Sequence, residues 1–465
     1  MFPLYLCYFT FGFCMSFGSI AMNFEMMEHL KFTPVEMTMA VGVVAAPWCI
    51  KPVFGLISDK YLIFDWGKRR PYISMCGLLL AYIYMLIPRF LETKSSMVAS
   101  MTMISFLLCF ADVCADCITV DNVKKEKVKG KTQGNCWTSR ALGSVLGSTF
   151  GGSVYQKYGT KVVFQIMSFP VLLMAIFIWN LQINTTEAPQ TLFKKISKSV
   201  YKKRALVFGI FMINVAPSYG PFYTYYLRQR LKYSPEDFQW ISLSSALSFL
   251  ASTFLYRTYF LKVEPLKLMW WACILSIACQ FVQVLVAINV TSSIYIVIID
   301  TIGRSFFEML LMMPVIVAVA KHAKEGIEGT FYALLMSISN LSNVVSDELG
   351  GLFGNMFGVT RESFDNLGYL VILCTMVDLI IQIYVINNRS FASYLQVQGP
   401  KDRTHHRENN KETSDYREVF EDRTLEMSDY TRDSSANADW DHTPEMSDYR
   451  RDSSVNLDRD HTPET

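Results

Sequence analysis

Apolar segments long enough to cross a bilayer recur along most of this chain. They fall at roughly 3–24, 36–58, 72–91, 96–121, 134–155 and 161–182, then at 205–227, 236–260, 265–287, 292–320, 328–354 and 366–387. A helix needs about 20 mainly apolar residues to span the ~30 Å hydrocarbon layer, and each run supplies roughly that length. In lipid the backbone must satisfy its own hydrogen bonds, so such runs fold as helices. Only 18% of residues are charged and 51% are hydrophobic, which excludes a soluble enzyme and a disulfide-built secreted domain. The eleven cysteines sit inside the apolar runs, where thiols pack as small side chains. Cys114 and Cys117 have CxxC spacing, but no second pair or histidine cluster accompanies them, so no metal site is expected.

Charge divides the chain. Residues 1–387 carry 32 Lys and Arg against 23 Asp and Glu, whereas residues 388–465 carry 11 against 18. Within the body, connections on one side hold 20 basic residues and those on the other hold 9. The positive-inside rule then predicts both termini in the cytoplasm. The expected organisation is an all-α membrane protein of 12 transmembrane helices: a six-helix half (1–182), a basic cytoplasmic linker (183–204), a second six-helix half (205–387) and a cytoplasmic tail (388–465). Two halves that rock about a central cavity are a transporter layout. The tail repeats Glu426-Met427-Ser428-Asp429-Tyr430 as Glu445-Met446-Ser447-Asp448-Tyr449. Too few aliphatic residues occur there to bury a core, so it is expected to be disordered, with Ser, Thr and Tyr open to a kinase or an adaptor. The first apolar run begins at Phe2 without a basic leader or cleavage site, which predicts no removed signal and a plasma-membrane rather than plastid location. The sequon at Asn184 falls in the cytoplasmic linker, and the one at Asn289 hugs the membrane, so neither is expected to carry glycan.

Several motifs are more specific than hydropathy. The second run ends Pro47-Trp48-Cys49-Ile50-Lys51-Pro52-Val53-Phe54-Gly55-Leu56-Ile57-Ser58-Asp59, and Arg69-Arg70-Pro71-Tyr72 follows. A glycine admits close helix packing, while an acid at a helix end and a basic loop can latch one face. Lys51, Gly55, Asp59, Arg69 and Arg70 are therefore the candidate gate. This segment resembles the folate-biopterin transporter family of the major facilitator superfamily. The likeness extends through residues 110–116 and 136–143, Ser234-Pro235-Glu236, residues 328–340 and Phe364-Asp365-Asn366-Leu367. It implies a major-facilitator-type fold and proton-linked uptake of folates or pterins. The chain departs from the family pattern at Asp347, Glu348 and Ser218-Tyr219-Gly220-Pro221, which predicts an altered ligand choice.

The charged residues inside the runs point to a site. Asp112 and Asp116 lie four apart on one face of the fourth span, with Asp121 at its cytoplasmic end. Two carboxylates on one stripe disfavour double ionisation, as a proton-carrying site requires. Asp112 lies nearer the bilayer centre, while Asp121 suits the latch. Arg140, one or two turns into the fifth span, offers a guanidinium fork to a carboxylate or a pterin edge, or pairs with Asp112. Asp300, Arg304 and Glu308 form a stripe of alternating sign, and Glu308 is a third proton-carrying candidate. In the seventh span Pro217, Gly220 and Pro221 should break the helix beside protein or a wet cavity. Asn214, Tyr219 and Tyr223 flank that break, with aromatic faces for a flat heterocycle, and Asn340 either lines the same space or bonds a neighbouring helix. The substrate-binding candidates are thus Asp112, Arg140, Asn214, Tyr219, Tyr223 and Asn340.

The sequence therefore predicts a proton-coupled secondary transporter for folate or pterin. The alternatives are the same machine carrying another organic anion or an amino acid, or a membrane sensor acting through its tail. The expected partners are the small solute, protons and the lipid bilayer, with no cofactor, metal or nucleic acid. No nucleophile–base set is visible, so catalysis is not expected.

Overall fold

The computed structural model describes residues 1–61, 63, 69–125, 131–181, 203–260, 263–322 and 328–395, and every regular element among them is helical. The chain enters as α1 (Phe2–Phe17) and α2 (Ser19–Phe24), extended by a π-helical turn at Glu25–His29. The next helix, α3 (Pro34–Cys49), starts where its sequence dictates. Thr33 Oγ1 accepts from the Glu36 amide at 3.1 Å, Glu36 accepts from the Thr33 amide at 2.7 Å, and Pro34 occupies the first turn. Pro47 and Pro52 remove two amide donors around Ile50, and the helix restarts there as α4 (Lys51–Lys60).

The first half continues with α5 (Arg70–Leu86), α6 (Lys94–Lys125) and α7 (Lys131–Phe177). At 47 residues, α7 would measure about 70 Å if straight, over twice the hydrocarbon thickness. Gly159, at φ 74° and ψ 179°, divides it between the fifth and sixth apolar runs; that conformation is open to glycine and strained for other residues. The remaining helices are α8 (Arg204–Ile213), α9 (Gly220–Gln229), α10 (Pro235–Thr258), α11 (Pro265–Ala287), α12 (Ile294–His322), α13 (Glu328–Met356), α14 (Leu367–Asn387) and the short α15 (Arg389–Leu395). Ser234 and Asp237 cap α10 as Thr33 and Glu36 cap α3.

Among the described residues, nine helical stretches are long and apolar enough to cross a membrane. The twelve-run reading counts three more: the second part of α7, the broken pair α8–α9, and α13. The last is diluted by Ser337, Asn340, Asn343, Asp347 and Glu348. The linker at 182–202 and the tail beyond 395 lie outside the described residues, as does the sequon at Asn184.

Close backbone approach joins the elements. α1 lies along α7, where a Cβ on Gly143 would sit 2.0 Å from the Phe9 carbonyl oxygen, so only glycine fits. Contacts between the two halves come mainly from α3 against α13 and from α7 against α10. These seams flank a central space, and the outward surface is apolar, as at Trp271 and Ile299.

Candidate functional site

Three helices of the first half meet in an ionic cluster. Lys51 opens α4 directly after the Pro47–Pro52 interruption, which turns its side chain inward. Its Nζ donates to Asp112 Oδ2 at 2.7 Å, lies 3.6 Å from Asp116 Oδ2, and sits 4.9 Å from the centre of the Trp48 ring. Arg140 Nη1, from α7, donates to Asp112 Oδ1 at 3.0 Å. Asp112 on α6 is fully buried and uses both oxygens on cations. A buried carboxylate is tolerated at this depth when it is paired so completely. Asp116, one turn on, is held differently: it accepts from Tyr8 at 2.6 Å, and its side chain is 19% exposed. Tyr8 in turn bonds Thr119 at 3.0 Å.

This geometry redistributes two of the expected roles. Lys51, nominated for the gate, is a buried counter-ion at the first residue of α4, where it meets Asp112. Asp112, nominated to meet cargo, is shut behind two cations and does not reach the cavity. Of the other gate candidates, Gly55 packs near Val113 and Arg70 donates to the Leu181 carbonyl at 3.0 Å with its guanidinium over Trp179. Arg70 therefore ties α5 to the end of the sixth run. The side chains of Asp59 and Asp121, and residues Gly67 and Lys68, lie outside the described residues.

Between the halves lies a cavity of about 890 Å³. Arg140, Asn214, Tyr219 and Tyr223 line it, with Glu308, which the sequence nominates as a proton carrier. Asn340 does not line it; its Nδ2 donates to the Trp48 carbonyl at 3.1 Å and bridges α13 to α3. The break between α8 and α9 is stitched to α13. The Ser218 amide donates to the Ser346 carbonyl at 3.0 Å, Ser346 Oγ returns a bond to the Ala216 carbonyl, and a Cβ on Gly350 would fall 1.7 Å from the Ser218 oxygen. Irregular backbone at membrane depth is thereby satisfied. Asn214 donates to Ser339 at 3.3 Å, and the Tyr219 and Tyr223 rings meet edge to face, 6.4 Å apart.

On the opposite wall, Arg304 pairs with Glu308 at 3.0 Å. Beside them stands a group that the motif reading missed. Asp378 of α14 also lines the cavity, with Gln280 of α11 donating at 3.1 Å and Gln382 at 2.7 Å. Its signal was a carboxylate within an apolar run. Tyr8 had no such signal, since a tyrosine among aromatic residues reads as packing.

The halves also touch where α3 begins, at the far end of the second span from Asp59. Arg228 of α9 pairs with Glu28, Tyr225 donates to the Phe32 carbonyl, and Gln239 accepts from the Ser153 amide at 2.7 Å. Among the described residues, no group of three His, Cys, Asp or Glu side chains is placed to hold a metal.

The sequence model of the BT1 family matches residues 12–390. A protein of Synechocystis sp. named "Folate-biopterin transporter" is 27% identical over 385 residues, covering 79% of this chain and 77% of its own. An Arabidopsis thaliana protein named "Probable folate-biopterin transporter 2" is likewise 27% identical, over 387 residues, covering 77% and 76%. Among solved structures, a D-xylose-proton symporter superposes with a TM-score of 0.63 at 12% identity, over 83% of this chain and 96% of its own. At that identity the likeness concerns the fold, which is that of the major facilitator superfamily.

Proposed function

This chain belongs to the BT1 family, and from that membership we propose that it carries folates or pterins across its membrane by proton-coupled alternating access. The coarser statement needs no proposal: the protein is a multi-pass membrane transporter with a major-facilitator fold, and not an enzyme. The observation that carries the finer reading is the cavity's composition. A cation, Arg140, faces it from the first half, while Tyr219, Tyr223 and the acidic groups Glu308 and Asp378 face it from the second. A folate has matching parts: a flat ring that stacks on aromatic faces, and a carboxylate tail that a guanidinium fork binds. The volume lies within the ~300–1,000 Å³ of sites that enclose molecules of this size.

For the coupled proton, Asp116 is the stronger of the nominated carboxylates. Asp112 is neutralised on both oxygens, and Glu308 is closed on Arg304, whereas Asp116 has a neutral hydroxyl partner, a longer contact to Lys51 and partial exposure. A group so placed can gain a proton while Lys51 and Arg140 keep their nearest contacts, both of them to Asp112. Asp59, Arg69 and Arg70 stay in the reading as the cytoplasmic latch.

Purified protein in liposomes, given labelled folate, a simple pterin or an amino acid, tests this. Uptake of the first two, raised by an inward proton gradient, is expected. Uptake of amino acid alone assigns another cargo, and no movement of any solute removes the transport reading.

A further inference from the structure

The carboxylates facing this interior are treated differently. Asp112 is matched by two cations. Asp378 is held by two glutamine amides and, among the described residues, forms no ion pair with a cation. Neutral amides satisfy a few lone pairs but leave this half-buried carboxylate without a counter-ion, a cost that grows when cargo covers it. Arg304 and Glu308, the charged pair on α12, close on each other. Three more polar atoms of the cavity lining are buried without a partner among the described residues: Gln382 Oε1, the Tyr223 hydroxyl and Arg304 Nε. Gln382 is 4% exposed and Gln280 6%, so both are fixed parts of the wall. Gln280 is itself oriented, its Oε1 accepting from Thr375 Oγ1 at 3.4 Å. Each glutamine turns one amide N–H onto Asp378, so beside that carboxylate the wall offers a ligand the acceptor Gln382 Oε1.

From this geometry we propose that Asp378, positioned by Gln280 and Gln382, is the residue that selects cargo, by accepting two parallel N–H donors from the 2-amino-4-oxopyrimidine edge of a pterin ring. That edge presents a ring N–H and an exocyclic amino group side by side, the spacing a carboxylate reads with both oxygens. The second amino hydrogen has an acceptor in Gln382 Oε1, and the ring face has Tyr219 and Tyr223 in the same cavity. The carboxylate tail of a folate then points to Arg140 on the other half. Cargo without the donor pair leaves Asp378 dehydrated and unpaired, which is the strongest form of discrimination a polar site provides.

The inference rests on the folate or pterin reading above, and the experiment separates the two. In liposomes, the full chain is given labelled folate in competition with either unlabelled folate or a 2-desamino-2-methyl analogue, which keeps the size and the tail. Wild type is expected to prefer folate by roughly ten- to a hundredfold, the range of hydrogen bonds to a charged group. Asp378→Asn should lose most of that preference, and Asp378→Glu should recover part of it. Competition binding to detergent-purified wild type gives the same ratio without any variant, so poor folding of a variant does not decide the matter. If wild type moves folate yet treats both compounds alike, or Asp378→Asn keeps the preference while losing only its response to pH, the assignment of Asp378 is overturned. If wild type moves neither folate nor pterin, the cargo reading itself falls.

Discussion

Replacing Asp112 by Asn keeps the side chain's shape and removes one charge from the centre of the first half. What remains is two cations, Lys51 and Arg140, facing one anion, Asp116, with the Lys51 ammonium 5% exposed. Removing one partner of a buried ion pair costs about 3–5 kcal/mol, because the surviving charge is left uncompensated. That is a large share of a total stability of roughly 5–15 kcal/mol. A compensating change follows from the same count. Lys51→Met together with Asp112→Asn leaves Arg140 and Asp116, one charge of each sign, and should restore much of the loss. The coupling energy between positions 51 and 112 is therefore expected to exceed about 2 kcal/mol, well above the average of about 0.6 kcal/mol for hydrogen bonds between membrane helices. Reversible unfolding in mixed micelles, followed by tryptophan fluorescence, measures all four corners of this cycle. Additive single effects, or a cost below about 1 kcal/mol for Asp112→Asn, would refute the view that charge balance holds these helices together.

Other outcomes follow from the same contacts. Asp116→Asn should flatten the dependence of uptake on an inward proton gradient while leaving exchange of labelled for unlabelled cargo at equal pH; a retained gradient response excludes Asp116. Arg140→Lys keeps the charge but loses the fork, and should raise the KM for a carboxylate-bearing cargo by about tenfold, with less effect on a simple pterin. Cysteines placed at Glu28 and Arg228 should cross-link across the halves and stop turnover, with recovery on reduction; turnover that persists in the cross-linked protein shows that this end does not open. Gly143→Ala would drive a methyl into the Phe9 carbonyl, 2.0 Å from its ideal position, and should abolish monodisperse protein after solubilisation.

Hydropathy made the helices legible because lipid enforces one solution for the backbone. It was weakest at α13, where Asn340, Asn343, Asp347 and Glu348 lower the apolar signal of a helix that packs one face against α3. The break near Pro217 was readable from proline chemistry alone, and the structure places it between Ile213 and Gly220. Side-chain partners were harder to read. Asp112 and Asp116 share a stripe, but their different fates depend on Lys51 and Tyr8, which reach them from sequence distances of 61 and 108 residues. No local pattern reports such a contact. Asn340 likewise reads equally as a cavity group or a link between helices, and the bond to Trp48's carbonyl, 292 residues away, makes it a link.

The distribution of charge between the halves bears on how they could move. Tyr8, Lys51, Asp112, Asp116 and Arg140 all belong to the first half, and Gln280, Arg304, Glu308, Asp378 and Gln382 to the second, so the polar contacts of these charges form within each half. Across the seam, among the described residues, run weaker contacts: Ser148 to Ser242 at 2.9 Å, Ser153 to Gln239, Tyr225 to the Phe32 carbonyl, Asn340 to the Trp48 carbonyl, and one partly exposed ion pair, Glu28 to Arg228. Neutral hydrogen bonds and partly exposed ion pairs are each worth about 1 kcal/mol or less, so rocking need not strand a charge in lipid. A cargo held at one end by Arg140 and at the other by Asp378 would change that balance. It would supply charged links between the two halves through the cavity, and binding would then favour the arrangement that shortens both. In this reading Asp378 serves motion as well as recognition, since its pair of N–H donors arrives only with the cargo.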